Sequence, residues 1–316
     1  MGDHRVTAGR AGGREGGRLG DSAMPESQLV ELKDGRRLEY EVHGVQDGPA
    51  LVFHHGTPGS CLPFATLAAA AASRGLRLVT TSRAGYGESS RQAGRRVVAA
   101  AADTGELLDA LGIEDCLVAG WSGGGPHALA CGARLAGRAR AVLVIAGVAP
   151  ADADGLDFLT GMGEANLDEF GLAERGEAAL RPFLETQREA LRTAAPEDLA
   201  AALTSLLPPV DVRALEDGVA VDLEAQIQHG VASGVEGWLD DDLAFVAPWG
   251  FSLDEIAVPT SLWQGDQDLM VPPAHGRWLA AQVPGVVAHL EAGEGHISIG
   301  ARLMDRMLDE LLALSG

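Results

Sequence analysis

The order of short apolar segments and longer helical stretches in this chain predicts an α/β fold: a mostly parallel sheet covered by helices on both faces. Two further observations support it. The chain has 316 residues, 46% hydrophobic and 22% charged, enough apolar material for a sizeable core and too long for one small domain. The strand–helix alternation also breaks only once, between Pro150 and about Phe245, where the pattern is helical throughout. A helical insertion in one α/β core follows.

Residues 1–25 are rich in Gly and Arg, with no apolar period and no continuous apolar run of a signal peptide. They read as a disordered tail, with Met24 as the native start. The core opens with strands at 28–32, 37–42 and 50–53, and Asp34-Gly35 turns the chain between the first two. A helix at 64–74, a strand at 76–80, a helix at 97–111, a strand at 115–119, a helix at 124–136 and a very apolar strand at 141–146 follow. The insertion is punctuated by Pro182, Pro196 and Pro208-Pro209. Alternation then resumes with a strand at 260–264, a helix from His275, a strand at 286–290 and an amphipathic helix at 302–314. The expected organisation is therefore a tail (1–25), a first core part (26–150), the helical insertion (151–245) and a second core part (246–316).

The net charge is −21 and Lys33 is the only lysine, which argues against nucleic acid or an anionic membrane as partner and removes a Walker A site. No apolar run approaches the roughly 20 residues needed to cross a bilayer. Cys61, Cys116 and Cys131 show no CxxC spacing, so no disulfide framework or thiolate metal site is expected, and a reducing cytoplasm fits. Neither a metal nor a cofactor is expected. A small-molecule substrate is the expected partner, with a homodimer as an expected assembly. Residues 151–245 hold 21 Asp and Glu against five Arg. That charge is expected mainly on a solvated outer face, the alternative being a field acting on substrate.

Gly120-Trp121-Ser122-Gly123-Gly124 falls directly between a strand and a helix, the setting in which a nucleophile elbow holds Ser in a strained positive-φ turn. A serine hydroxyl needs a base and an orienting acid. His296 lies between the last strand and the last helix. Asp268 follows the preceding strand in Gly265-Asp266-Gln267-Asp268-Leu269-Met270-Val271-Pro272. The chain order Ser, Asp, His is one known triad arrangement. Asp266 competes with Asp268 and is expected to bind loop backbone instead. Backbone N–H groups of Thr57, in the His55-Gly56-Thr57-Pro58-Gly59 turn, and of Gly123 are the candidate oxyanion donors. Trp121, His54 and Cys61 are candidate substrate-binding residues, Trp121 equally as core and His54 mainly as an anchor of the Thr57 turn. His127 is expected to pack.

Through His55-Gly56-Thr57-Pro58, the Arg83-to-Ser89 loop, the elbow at Ser122, Asp268 with Val271-Pro272, and Gly295-His296, the chain resembles the α/β-hydrolase fold superfamily over roughly residues 26–316. The resemblance implies an eight-stranded, mostly parallel sheet with a helical cap over the site. Haloalkane dehalogenases and epoxide hydrolases of this fold attack with Asp, and the latter use cap tyrosines; here the elbow carries Ser122, and Tyr40 and Tyr86 lie outside the cap. Lys33 is misplaced for a hydroxynitrile lyase. The expected activity is hydrolysis of a small or medium carboxylic ester. The alternatives are an aminopeptidase resembling proline iminopeptidases, whose HGGPG pattern the Thr57 turn approaches, and a non-hydrolytic biosynthetic enzyme or ligand receptor on the same fold.

Overall fold

The computed structural model describes residues 27–135 and 137–316, so the expected tail over residues 1–25 lies outside the described residues. Strands β1 (Gln28–Glu31), β2 (Arg37–Gly44) and β3 (Ala50–His54) lead to α1 (Ala65–Ser73), β4 (Arg77–Ser82) and α2 (Ala99–Ala110). Strand β5 (Cys116–Trp121), α3 (Gly124–Arg134) and β6 (Ala139–Ile145) complete the first part. Six helices follow without an intervening strand: α4 (Glu164–Ala173), α5 (Glu177–Thr193), α6 (Leu199–Ala202), α7 (Pro209–Ala214), α8 (Ala220–Gly230) and α9 (Glu236–Phe245). The chain ends with β7 (Thr260–Gly265), α10 (Pro273–Gln282), β8 (Val287–Glu291) and α11 (Ser298–Leu314). All eight strands join one sheet in the order β1-β2-β4-β3-β5-β6-β7-β8. Only β1 with β2 and β2 with β4 pair antiparallel; the remaining pairs are parallel.

Alternation along the strands divides the core. Leu51, Phe53, Leu78, Leu117, Leu143, Ile145 and Trp263 face one side, packed with Leu67 of α1 and with Met307, Leu308 and Leu311 of α11. Val52, Val79, Val118, Val142 and Val144 face the other, with Leu107 of α2, Leu129 of α3 and the cap. Each such fully buried side chain contributes roughly 1.5–3 kcal/mol over an exposed one. In α5, Leu180, Leu184 and Leu191 form the buried stripe.

Two helices differ from the sequence reading. Helix α5 runs through Pro182, whereas Pro209 does open α7 at its first residue. Helix α11 begins at Ser298, four residues before the expected Arg302. Its cause is remote: the buried Asp211 carboxylate of α7 accepts from the backbone N–H of His296 at 2.8 Å, Ile297 at 3.1 Å and Ser298 at 2.8 Å. A carboxylate satisfies the free N–H groups of a helix start and complements its dipole.

The cap is tied to the core through charge. Asp241 of α9 is fully buried; its Oδ2 accepts from Arg83 Nη2 at 2.6 Å, Tyr86 Oη at 2.9 Å and Thr57 Oγ1 at 2.8 Å, and Oδ1 lies 2.6 Å from Arg95 Nη2. Burial pushes the Asp241 carboxyl up, but the Arg83 and Arg95 charges outweigh burial and hold it well below the ordinary carboxylate range. His229 of α8 makes a second tie, its Nε2 lying 2.8 Å from Glu39 Oε1 of β2. Removing one partner of a buried ion pair costs about 3–5 kcal/mol because the other charge stays behind. Asp241→Ala is therefore expected to lose about that much in denaturant unfolding, whereas Glu197→Ala, at an exposed cap carboxylate, should change stability by less than about 0.5 kcal/mol.

Candidate active site

Ser122 follows β5 with φ 57°, a left-handed conformation rare outside glycine. Its N–H donates to Ile145 O of β6 at 2.8 Å, and its carbonyl accepts from Gly125 N at 2.9 Å, so sheet and helix both hold the turn. Neighbouring backbone leaves no room for side chains: a Cβ on Gly120 would meet the Gly124 carbonyl, and one on Gly124 would meet the His54 carbonyl. The glycines of the motif are thus a steric requirement of this turn. His127 of α3, expected to pack, also bonds: its Nδ1 lies 2.8 Å from Gly123 O.

Asp268 and His296 come together from the loops after β7 and β8. His296 Nδ1 lies 2.8 Å from Asp268 Oδ2. A carboxylate only accepts, so Nδ1 carries the proton and Nε2 the lone pair. Asp268 is itself fixed, with Oδ1 accepting from Met270 N at 2.9 Å and Val271 N at 2.8 Å, and Oδ2 from Gln264 Nε2 at 3.0 Å. Asp266 takes the separate position expected of it, accepting from Gly293 N at 2.8 Å. Trp121 Nε1 donates to His296 O at 3.1 Å. Burial pulls the His296 imidazole down, but the charge and hydrogen bond of Asp268 outweigh it and hold the ring above its ordinary value. Its Nε2 is buried without a hydrogen-bond partner.

The His55-Gly56-Thr57 turn is held by Arg83, whose guanidinium donates to the carbonyls of His55 and Gly56 and to Thr57 Oγ1 at 3.1 Å. Thr57 Oγ1 would collide with a Cβ on Gly123, so the two residues adjoin directly.

Ser122, His296, Trp121, Thr57 and Gly123 line one cavity of about 230 Å³, closed from the cap side by residues such as Phe170, Leu191, Trp238 and Phe245. His54 and Cys61 do not line it, which corrects their assignment to substrate binding. His54 is buried on the α3 side of β3, where its Nε2 lies 3.5 Å from Cys131 Sγ; burial pulls its imidazole down to about 3. Cys61 is fully buried beside Glu39 and His229, and burial pushes its thiol far up. These three groups approach one another closely, but Glu39 is already engaged by His229.

Sequence reasoning missed the two acidic residues of the cavity lining. Glu169 and Asp242 reach the cavity from the cap, so part of the insertion's charge is not on the solvated face. The available signal was the position of Asp242, four residues after Trp238 and three before Phe245 on one helical face. No described helix is long and apolar enough to cross a membrane.

A family model described as alpha/beta hydrolase fold matches residues 49–300. The protein named Uncharacterized hydrolase YcgS, from Bacillus subtilis (strain 168), is 27% identical over 271 residues, covering 84% of this chain and 89% of that protein. Among solved structures, an enol-lactonase from Burkholderia xenovorans LB400 shares the fold with TM-score 0.65 and 21% identity over 90% of this chain and 100% of its own. A thermophilic esterase from Thermogutta terrifontis does so with TM-score 0.66 and 19% identity over 92% of this chain and 99% of its own. Eight strands in one mostly parallel sheet, helices on both faces and an inserted helical cap agree with these matches: the chain belongs to the alpha/beta hydrolase fold family.

Proposed function

We propose that this hydrolase cleaves a small or medium carboxylic ester through an acyl-enzyme on Ser122. The observation that carries the reading is the joint lining of one largely apolar cavity by a serine with φ 57° and by a histidine oriented by Asp268 with a free Nε2. His296 takes the Ser122 proton as Oγ attacks the carbonyl carbon, and the resulting imidazolium gives that proton to the leaving alkoxide. Water, deprotonated by the same nitrogen, then attacks the acyl-enzyme and releases the acid. Asp268 fixes the ring and stabilises its charged form. Backbone N–H groups of Thr57 and Gly123 receive the developing oxyanion. The named activities of the esterase and the enol-lactonase of the same fold lie in the same class of ester cleavage.

A fluorophosphonate probe should add once to the intact protein, with the adduct mapped to Ser122 and lost in Ser122→Ala. Labelling of another serine would remove the assignment. p-Nitrophenyl butyrate should be turned over while an alanyl β-naphthylamide is left intact. Cleavage of the naphthylamide alone would favour the aminopeptidase instead.

The neutral imidazole is the active form, so kcat/KM for a neutral ester should fall as pH drops through the His296 pKa. Since Asp268 holds that ring above its ordinary value, the acid limb should lie above the reference of about 6.5. Asp268→Asn should move the limb downward and lower kcat by orders of magnitude, on the order of the 10⁴-fold known for a triad acid. Asp266→Asn should leave both nearly unchanged. A limb at or below the reference in the unmodified protein would contradict this account of His296.

A further inference from the structure

Two carboxyl groups of the cap, Glu169 on α4 and Asp242 on α9, face the same cavity as Ser122. Both carboxylate oxygens of Asp242 are buried, and no N–H or hydroxyl reaches them; their one polar neighbour is the Glu169 carboxyl. Buried carboxylates are ordinarily satisfied, as Asp268 and Asp211 are here. Besides Asp242, Glu169 has one partner, Trp238 Nε1, which donates to Oε1 at 2.7 Å. No lysine or arginine is among the described residues lining the cavity. The nearest buried cations, Arg83 and Arg95, are committed to Asp241. Aromatic rings of Phe170, Trp238 and Phe245 line the cavity around the pair.

We propose that Glu169 and Asp242 form a recognition site for a positively charged amine, so that the ester cleaved at Ser122 carries an ammonium group on the portion that enters the cap. The inference rests on the ester-hydrolase reading for the bond cleaved, but not for the binding site itself. An ammonium supplies several donors where the pair has only a shared proton and neutralises its negative charge in a largely apolar space, and the rings add cation–π attraction.

Protonation lets two acids share such a place. Burial pushes Asp242 well above the ordinary carboxylate range, and the adjacent Glu169 charge adds to this. Burial likewise pushes Glu169 up to about 7 against the bond from Trp238. The two therefore retain a proton between them near neutrality. The other charged groups facing the pair are Asp241, on the same helix, which raises Asp242 further, and Arg95, from the loop before α2, which lowers it. Helix α5, packed on α9, contributes the neutral Gln187 to the cavity, while its Arg181 is held by Glu177 and Glu236. His296, in the same lining, is neutral in the active form. A bound cation favours the ionised pair, so its binding should expel the shared proton and tighten as pH rises.

Calorimetric titration of full-length Ser122→Ala protein with n-hexylammonium and with 1-hexanol tests the site without requiring hydrolysis. Hexylammonium should bind roughly tenfold or more tightly than hexanol at about pH 8, an advantage that shrinks toward about pH 5.5 and releases a proton, read as buffer-dependent enthalpy. Asp242→Asn and Glu169→Gln should each abolish most of the advantage while hexanol still binds, which shows the cavity intact. Hexylammonium binding no more tightly than hexanol, including no binding of either, would overturn the proposal. So would an advantage that survives both substitutions. A cation preference without fluorophosphonate labelling of Ser122 would remove the ester reading and leave the amine site. Labelling without a cation preference would do the reverse.

Discussion

The buried carboxylate of Asp241 is the constraint on which the arrangement of this protein turns. A fully desolvated charge is tolerable only with partners of opposite sign and good geometry. Asp241 finds Arg83 and Arg95 from the loop region after β4, together with the hydroxyls of Tyr86 and Thr57. Those partners belong to the core, and Asp241 belongs to the cap. Arg83 in turn holds the carbonyls of His55 and Gly56. One charge thereby fixes both the seat of the cap and the path of the turn beside Ser122. A second cap carboxylate, Asp211, does equivalent work on the far side by capping the helix that follows His296. Cap and core are interdependent: the positions of Thr57 and His296 rest on groups contributed by α9 and α7.

This division also separates two tasks. The sheet supplies a rigid frame for Ser122 at the end of β5 and for Asp268 and His296 after β7 and β8. Short tethers to backbone leave those groups little freedom, which suits groups whose geometry must be set before substrate arrives. The cap supplies the walls, and with Glu169 and Asp242 it supplies the only fixed charge among the described cap residues lining the cavity. A family that keeps one frame and varies its insertion can change substrate without rebuilding the reacting centre.

Much of this was legible in the sequence because it depends on local chemistry. Buried strands such as 141–146 read as apolar runs, and the elbow carries glycines where backbone crowds backbone at Gly120 and Gly124. What was not legible depends on residues far apart in the chain. The early start of α11 is caused by Asp211, 87 residues before Ser298. His54 and Cys61 lie beside the right segment but their side chains leave it on other faces, one toward Cys131 and the other toward Glu39. A strand's alternation fixes which face a residue takes only once register is known. The acidic insertion is exposed for the most part, as expected, but net charge counts residues without saying which few turn inward: Asp241 and Asp242 are buried, and Glu169 lines the cavity.

The central claim is that the Ser122 hydroxyl becomes covalently acylated during turnover. Acid quenching in the steady state with p-nitrophenyl butyrate, followed by peptide mass mapping, tests it most directly. The account predicts a butyryl group on the peptide containing Ser122 and no turnover above background when that serine is alanine. A butyryl group on another residue, or undiminished turnover by the alanine variant, would contradict it.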